Sequence, residues 1–290
     1  MAFEHIEEFL RPTSVREAVR ALHREGRRAR VVAGGTGAAL RENRTVRTLV
    51  DVSRLGLDYI RRKDRGWAIG AATTMTALEE SRPIREFADG ILAAAAATCG
   101  SVQNRNMITL GGGLANAWAT ADTAAPLLAL DASVVLANSR GRRRVPLAEF
   151  FFGTDRTMLN GALLVEILIP APPRGGRTGW SFQKLGRTES DISIVNCAAG
   201  LQVDRAEKCV WARIGLGAVE PTPRRARTAE AALIGQALTP DSIDAACDAL
   251  TREIQPVTDL RASAEYRREM SAVLTRRALR DCAERAGCLL

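Results

Sequence analysis

Two glycine runs, each placed after apolar residues, constrain this chain more than any other feature: VVAGGTG at residues 31–37 and TLGGGLANAWATAD at residues 109–122. Consecutive glycines let a backbone turn sharply and aim free N–H groups at an anion, and Thr36 and Thr109 add hydroxyls. Two such turns at strand ends imply one diphosphate-bearing ligand held between them. Neither turn has the spacing of a common nucleotide loop. GxGxxG spreads its glycines over six positions at the start of a helix, and GxxxxGK[ST] requires a lysine after the last glycine. Gly34, Gly35, Gly37 and Gly111, Gly112, Gly113 fit neither, and taken singly each run is also compatible with a plain tight turn.

A chain of 290 residues with 46% apolar content is long enough for two or three domains with sizeable cores. No stretch of 18 apolar residues is present, so no membrane insertion is expected. The opening MAFEHIEEFLRP lacks a basic head followed by an apolar run, which makes a cytoplasmic location the expectation. Six cysteines, at 99, 197, 209, 247, 282 and 288, form no CxxC and pair with neither His5 nor His23, so a metal or iron–sulfur site is not expected in this chain. Cys197 and Cys247 sit in apolar runs and read as small buried hydrophobes. The net charge of +8 invites a nucleic-acid reading. Its distribution argues against one: Arg140, Arg142, Arg143 and Arg144 surround Gly141 between two strand-like segments, as on an exposed hairpin. No aromatic residue is interleaved with them to stack on bases.

Along the chain, Thr13 and Ser14 precede an amphipathic helix, VREAVRALHRE, with apolar residues at 15, 18, 19 and 22, followed by strands ARVVAGG and TLVDVS, the latter at residues 48–53. Residues 59–74 read as a hairpin turning near residues 64–66, and two short helices are expected before the second glycine run. Residues 123–130 look helical, with Asp122 as a candidate cap. The Pro- and Gly-dense APPRGGRTG at residues 171–179 marks the linker, placing domains at 1–172 and 178–290. Three antiparallel strands and a helical remainder follow, ending in a helix over residues 263–286 with Tyr266, Met270, Val273, Leu274 and Leu279 as its core stripe.

AGGTG followed by TLGGGLANAWATADTAAPLLALDASVVL resembles the flavoprotein (medium) subunit of the molybdenum hydroxylases, the family of carbon monoxide and xanthine dehydrogenases. GALLVEILIP, WSFQKLGRTESDISIVNCAAGL and DLRASAEYRREMSAVLTRRAL agree in the same order, so the resemblance spans nearly the whole chain. It implies an α+β chain: an FAD-binding domain of the vanillyl-alcohol oxidase/MurB type with subdomains at about 1–55 and 56–172, then a smaller C-terminal α/β sandwich. It also implies an oxidoreductase subunit that takes electrons from [2Fe–2S] clusters of a small partner, fed by a large molybdopterin partner, and passes them to an external acceptor. The expected assembly is a dimer of such heterotrimers.

The same resemblance places the FAD diphosphate against Ala33, Gly34, Gly35, Thr36 and Gly37 on one side and Thr109, Leu110, Gly111 and Gly112 on the other, held mostly by backbone amides. Arg30, Val31 and Val32 flank the nucleotide half, and Ile108 and Ala115 make apolar contacts. Asn116 and Asp122 stand where polar groups fix the flavin end, Leu164 and Val165 where aliphatic side chains meet the ring, and Lys184 where a cation contacts it. The segment 186–191, GRTESD, corresponds to a loop bordering the flavin. The chain departs from the pattern at Gly37 (often Asp), Gly113 (often Asn), Ala119 (often Pro) and Trp118, which is unusually bulky. No catalytic acid, base or nucleophile is expected, because the flavin carries the chemistry. The alternatives are a self-sufficient FAD oxidoreductase of the vanillyl-alcohol oxidase/MurB type and a scaffold that has kept the fold without the cofactor.

Overall fold

The computed structural model describes residues 5–39, 43–153 and 156–290. Ser14 caps α1 (Val15–Glu25) by accepting the Glu17 N–H; of the expected face Ala18, Val19 and Leu22 are buried, joined by Ala21, while Val15 is half-buried. β1 (Glu8–Leu10), β2 (Ala29–Val32) and β3 (Thr48–Asp51) make a parallel sheet in the order β1-β3-β2, with α1 as the crossover. The sequence reading missed β1, which has three residues, none of them buried. β2 runs directly into the first glycine turn and α2 (Thr36–Ala39).

A five-stranded antiparallel sheet follows, in the order β4-β5-β10-β6-β7. The expected hairpin is β4 (Ile60–Lys63) with β5 (Gly66–Gly70), turning at left-handed Asp64. In place of two short helices, the chain then makes four: α3 (Met75–Glu80), α4 (Arg82–Glu86), α5 (Ile91–Ala97) and α6 (Val102–Met107). Pro83 near the start of α4 and the left-handed Gly90 and Gly100 flanking α5 punctuate them. α7 (Leu110–Ala115) and α8 (Ala124–Ala129) precede β6 (Ser133–Asn138) and β7 (Gly141–Pro146). The arginine cluster lies on this hairpin, with Arg142, Arg143 and Arg144 exposed on the edge strand, where charge discourages pairing with another chain. α9 (Leu147–Phe150), the small ribbon of β8 (Phe151–Gly153) and β9 (Arg156–Thr157), and β10 (Leu163–Ile169) complete this part.

Beyond residue 176, β11 (Arg177–Leu185), β12 (Val195–Val203), β13 (Cys209–Gly217) and β14 (Arg224–Arg225) form a second antiparallel sheet, one short strand more than expected. α10 (Arg227–Leu233), α11 (Pro240–Glu253) and α12 (Ala264–Arg285) pack on it. Its other face meets the first half of the chain. Cys197, Ala199 and Leu201 share a core with α11 and α12, whereas Ala198 packs on Ala125 and Ala129 of α8. All nine residues of β12 are therefore buried. A Cβ on Gly215 would stand 2.2 Å from the Ala125 carbonyl, so glycine lets α8 lie directly on β13.

The core stripe of α12 differs from expectation. Leu274 and Leu279 are buried, but their companions are Arg267, Ser271, Thr275, Ala278, Cys282 and Ala283, while Tyr266 is 43% exposed. Small side chains bring the helix against β11, where a Cβ on Gly179 would reach within 1.9 Å of the Cys282 carbonyl. Buried Arg267 donates to the Ile194 carbonyl and to Asp259, both at 2.6 Å, which offsets the cost of burying its charge.

Candidate functional site

The end of β2 and the start of α7 both line a cleft of about 590 Å³. Gly35 takes φ +75°, a conformation that favours glycine. Among the described residues, the amides of Gly34, Gly35, Thr36 and Gly37 donate to no protein acceptor. Successive uncommitted N–H groups around a left-handed residue form a concavity suited to an anion.

The second glycine run is not a strand-end turn. α6 precedes it, and the glycines form the first turn of α7. Its amides are committed: Leu110 donates to the Thr73 carbonyl at 2.9 Å, Gly111 to Ala71 at 2.8 Å, Gly112 to the capping Thr109 hydroxyl at 3.2 Å and Gly113 to the Thr109 carbonyl at 2.9 Å. Here glycine serves close packing, since a Cβ on Gly111 would lie 2.6 Å from that of Ala71. Gly113 is different: open space surrounds the position its Cβ would take. Asn116 bridges toward the first turn, its Nδ2 occupying the space where a Gly37 Cβ would fall.

All of residues 30–37 line the cleft, as do Ile108, Thr109, Gly111, Gly112, Ala115, Asn116, Asp122 and Leu164. Leu110, Val165 and Lys184 do not. Leu110 and Val165 are buried in separate hydrophobic cores, and Lys184 is paired with Asp122 on the wall. The sequence reading missed several apolar wall residues, Leu57, Ala72 and Met75 among them, because ordinary core chemistry does not distinguish them. Trp118 lines the cleft, as do Ser190 and Asp191 of the 186–191 loop and the adjoining Ile192, which is 47% exposed.

Asp122 does not cap α8. The residue before that helix is Thr123, in helical conformation and without a side-chain cap bond. Asp122 instead accepts hydrogen bonds from Lys184 Nζ at 2.8 Å, from the Ser193 hydroxyl and from Asn196 Nδ2 at 3.2 Å. Burial pushes its carboxyl above the ordinary range, against the pull of Lys184 and the hydrogen bonds. Ser193 and Asn196 went unrecognised, although polar residues inside the apolar SIVNCAAGL are the kind of signal that marks them. Cys99, on the same wall, has its thiol pushed up by burial and donates to the Ala95 carbonyl at 3.3 Å.

The wall thus offers an anion cradle at the first turn, an apolar middle and a polar cluster around Asp122. Among the described residues no group of three or more His, Cys, Asp or Glu is placed to hold a metal, and no helix is long and apolar enough to cross a membrane.

Residues 2–172 match the family described as the FAD binding domain in molybdopterin dehydrogenase, and residues 180–282 the CO dehydrogenase flavoprotein C-terminal domain. The 6-hydroxypseudooxynicotine dehydrogenase complex subunit alpha of Paenarthrobacter nicotinovorans is 36% identical, covering 94% of this chain and 93% of that one. The carbon monoxide dehydrogenase medium chain of Hydrogenophaga pseudoflava is 35% identical, covering 94% and 95%. A solved structure of carbon monoxide dehydrogenase from Hydrogenophaga pseudoflava superposes with a TM-score of 0.91 at 35% identity, over 98% of this chain and 99% of that one.

Proposed function

The chain belongs to the FAD-binding medium subunits of the molybdopterin dehydrogenases, the carbon monoxide and xanthine dehydrogenase family, and from that membership we propose how its residues serve the complex. It is an oxidoreductase subunit of a multi-subunit enzyme. In our reading it receives electrons from the [2Fe–2S] clusters of a small partner, itself fed by a large molybdopterin partner, and delivers them to an external acceptor. A dimer of such heterotrimers in the cytoplasm is the assembly we propose. The stand-alone oxidoreductase reading is set aside, because relatives matched over nearly the whole chain are named as subunits and medium chains.

The observation that carries the assignment within the chain is the run of uncommitted amides at residues 34–37, opening into a cleft of a size usual for small-molecule sites. The four N–H groups would hold the diphosphate, with Ala33 beside them and Arg30, Val31 and Val32 flanking the nucleotide half. Thr109, Gly111 and Gly112 form the opposite wall by close approach more than by donated amides, and Leu110 backs them from the core. Ile108, Ala115, Leu164 and Val165 supply the apolar surround, while Asn116 and Asp122, with Lys184 behind, supply the polar end. When bound, FAD supplies the redox chemistry that couples cluster to acceptor. The protein binds, orients and shields it. We further propose that residues 1–172 form the FAD-binding domain, of the vanillyl-alcohol oxidase/MurB type with subdomains at about 1–55 and 56–172, and that residues 178–290 form the C-terminal domain.

The test is to denature the purified full chain, loaded with flavin, and identify what is released. FAD is expected, because the cradle is matched to a diphosphate; FMN, or no uptake from excess FAD, would overturn the assignment.

A further inference from the structure

Lys184 and Asp122 meet at 2.8 Å with both side chains only 7% exposed. The ammonium makes a second bond, to the Thr98 carbonyl, also at 2.8 Å. On the carboxyl, Oδ2 faces Lys184 and Oδ1 faces Ser193 and Asn196. Register explains the convergence. Lys184 on β11 and Asn196 on β12 are direct cross-strand partners, so their side chains leave the same face of the sheet side by side. That is the face on which Phe182 and Ala198 pack against α8, and Asp122 lies two residues before α8. Asn196 packs closely on Gly217, whose Cβ would come within 2.5 Å of its Oδ1, an oxygen that is buried without a hydrogen-bond partner among the described residues.

Asp122 lines the cleft, whereas Lys184, Ser193 and Asn196 do not. With both oxygens engaged, the carboxyl cannot rotate without breaking bonds to buried donors. We propose that Ser193 and Asn196 are positioning residues, which together with the Lys184 ion pair fix the Asp122 carboxyl on the cleft wall and clasp the C-terminal sheet to it, without themselves touching the cofactor. The proposal rests on the FAD reading above.

The experiment titrates full-length apo chains with FAD, following flavin fluorescence and the absorption spectrum of the bound form. Ser193→Ala is decisive, because it leaves every ion pair in place and removes a group that does not line the cleft. It is expected to weaken FAD binding roughly 2- to 10-fold, because a carboxyl no longer held in the free chain must be ordered on binding, and to shift the bound spectrum. Ser193→Thr, which keeps the hydroxyl, should restore both. Lys184→Met should also weaken binding, yet add little in an Asp122→Asn background, since the two act as one unit. Unchanged affinity and spectrum for Ser193→Ala would overturn the proposal, as would a Lys184→Met effect of full size in the Asp122→Asn background. Should Lys184→Met fail to fold, the Ser193 pair still decides. A wild-type chain that takes up no FAD overturns the cofactor reading and the clasp together; a wild type that binds, with Ser193→Ala indistinguishable from it, overturns the clasp alone.

Discussion

Gly34 lies so close to Met107 that a Cβ on it would stand 1.5 Å from the Met107 carbonyl oxygen. The first glycine turn is thus in backbone contact with the end of α6, just before the second run. One missing methyl group allows the two walls of the cleft to meet.

Gly34→Ala should therefore cost about 1–3 kcal/mol of stability, as overpacking usually does, and reduce FAD uptake by parting the walls. Gly113→Ala should do the opposite to stability. That position has open space and lies inside α7, so alanine should stabilise by about 0.5–1 kcal/mol. Denaturant unfolding of the two variants checks both signs; equal effects would mean that contact with Met107 is not what keeps residue 34 small.

At Gly35 the obstacle is conformational. Its φ of +75° costs an alanine roughly 1–2 kcal/mol, while asparagine tolerates the left-handed region better. FAD affinity measured by flavin fluorescence should rank Gly35 above Gly35→Asn above Gly35→Ala. Equal affinities for the three would show that the turn geometry does not shape the amide cradle.

A pH-dependent contribution is expected from Glu166, which accepts from Tyr59 at 2.8 Å, Arg61 at 2.7 Å and Lys63 at 3.3 Å. Burial works to raise its carboxyl pKa, but the three donors outweigh burial and hold it below the ordinary 4.5. An acid lowered in the fold stabilises above its unfolded value and loses that contribution as pH falls through the folded one. Tyr59, raised to about 12 by burial and by Glu166, works at the other end: its contribution is present below its ordinary 10.0 and is lost as pH rises toward 12. Because Arg61 and Lys63 are 59% and 45% exposed, Glu166→Gln should cost only about 1 kcal/mol at pH 7. The difference from wild type should shrink below pH ~4. A constant difference from pH 3 to 8 would rule out the linkage.

The buried thiols should be inert. Cys197 is pushed up to about 12, and Cys209 and Cys247 to about 11, burial being the first cause in each. At pH 8 these three should resist a thiol reagent in the native chain and react once it is denatured. Rapid labelling of any of them in the native state would contradict their burial.

Much of this was legible locally. The cap at Ser14, the β4–β5 hairpin, the arginine hairpin and the three long strands after residue 176 are short-range matters of periodicity and turn chemistry, which a linear reading captures. The glycine runs announced a cleft, and the ordered blocks around them announced the family.

What stayed hidden depends on partners far apart in the chain. Whether an amide in a glycine run is free or committed turns on Ala71 and Thr73, nearly forty residues away, and it separates a cradle at residues 34–37 from a packing joint at residues 110–113. Asp122 looked like a cap because a helix follows it, yet Lys184, Ser193 and Asn196 are brought to it only when the C-terminal sheet docks on α8. The buried face of α12 likewise follows Gly179 and the fit of small side chains to β11, which side-chain hydrophobicity does not encode. Residue types specify which groups can bond; burial and register decide which of them meet.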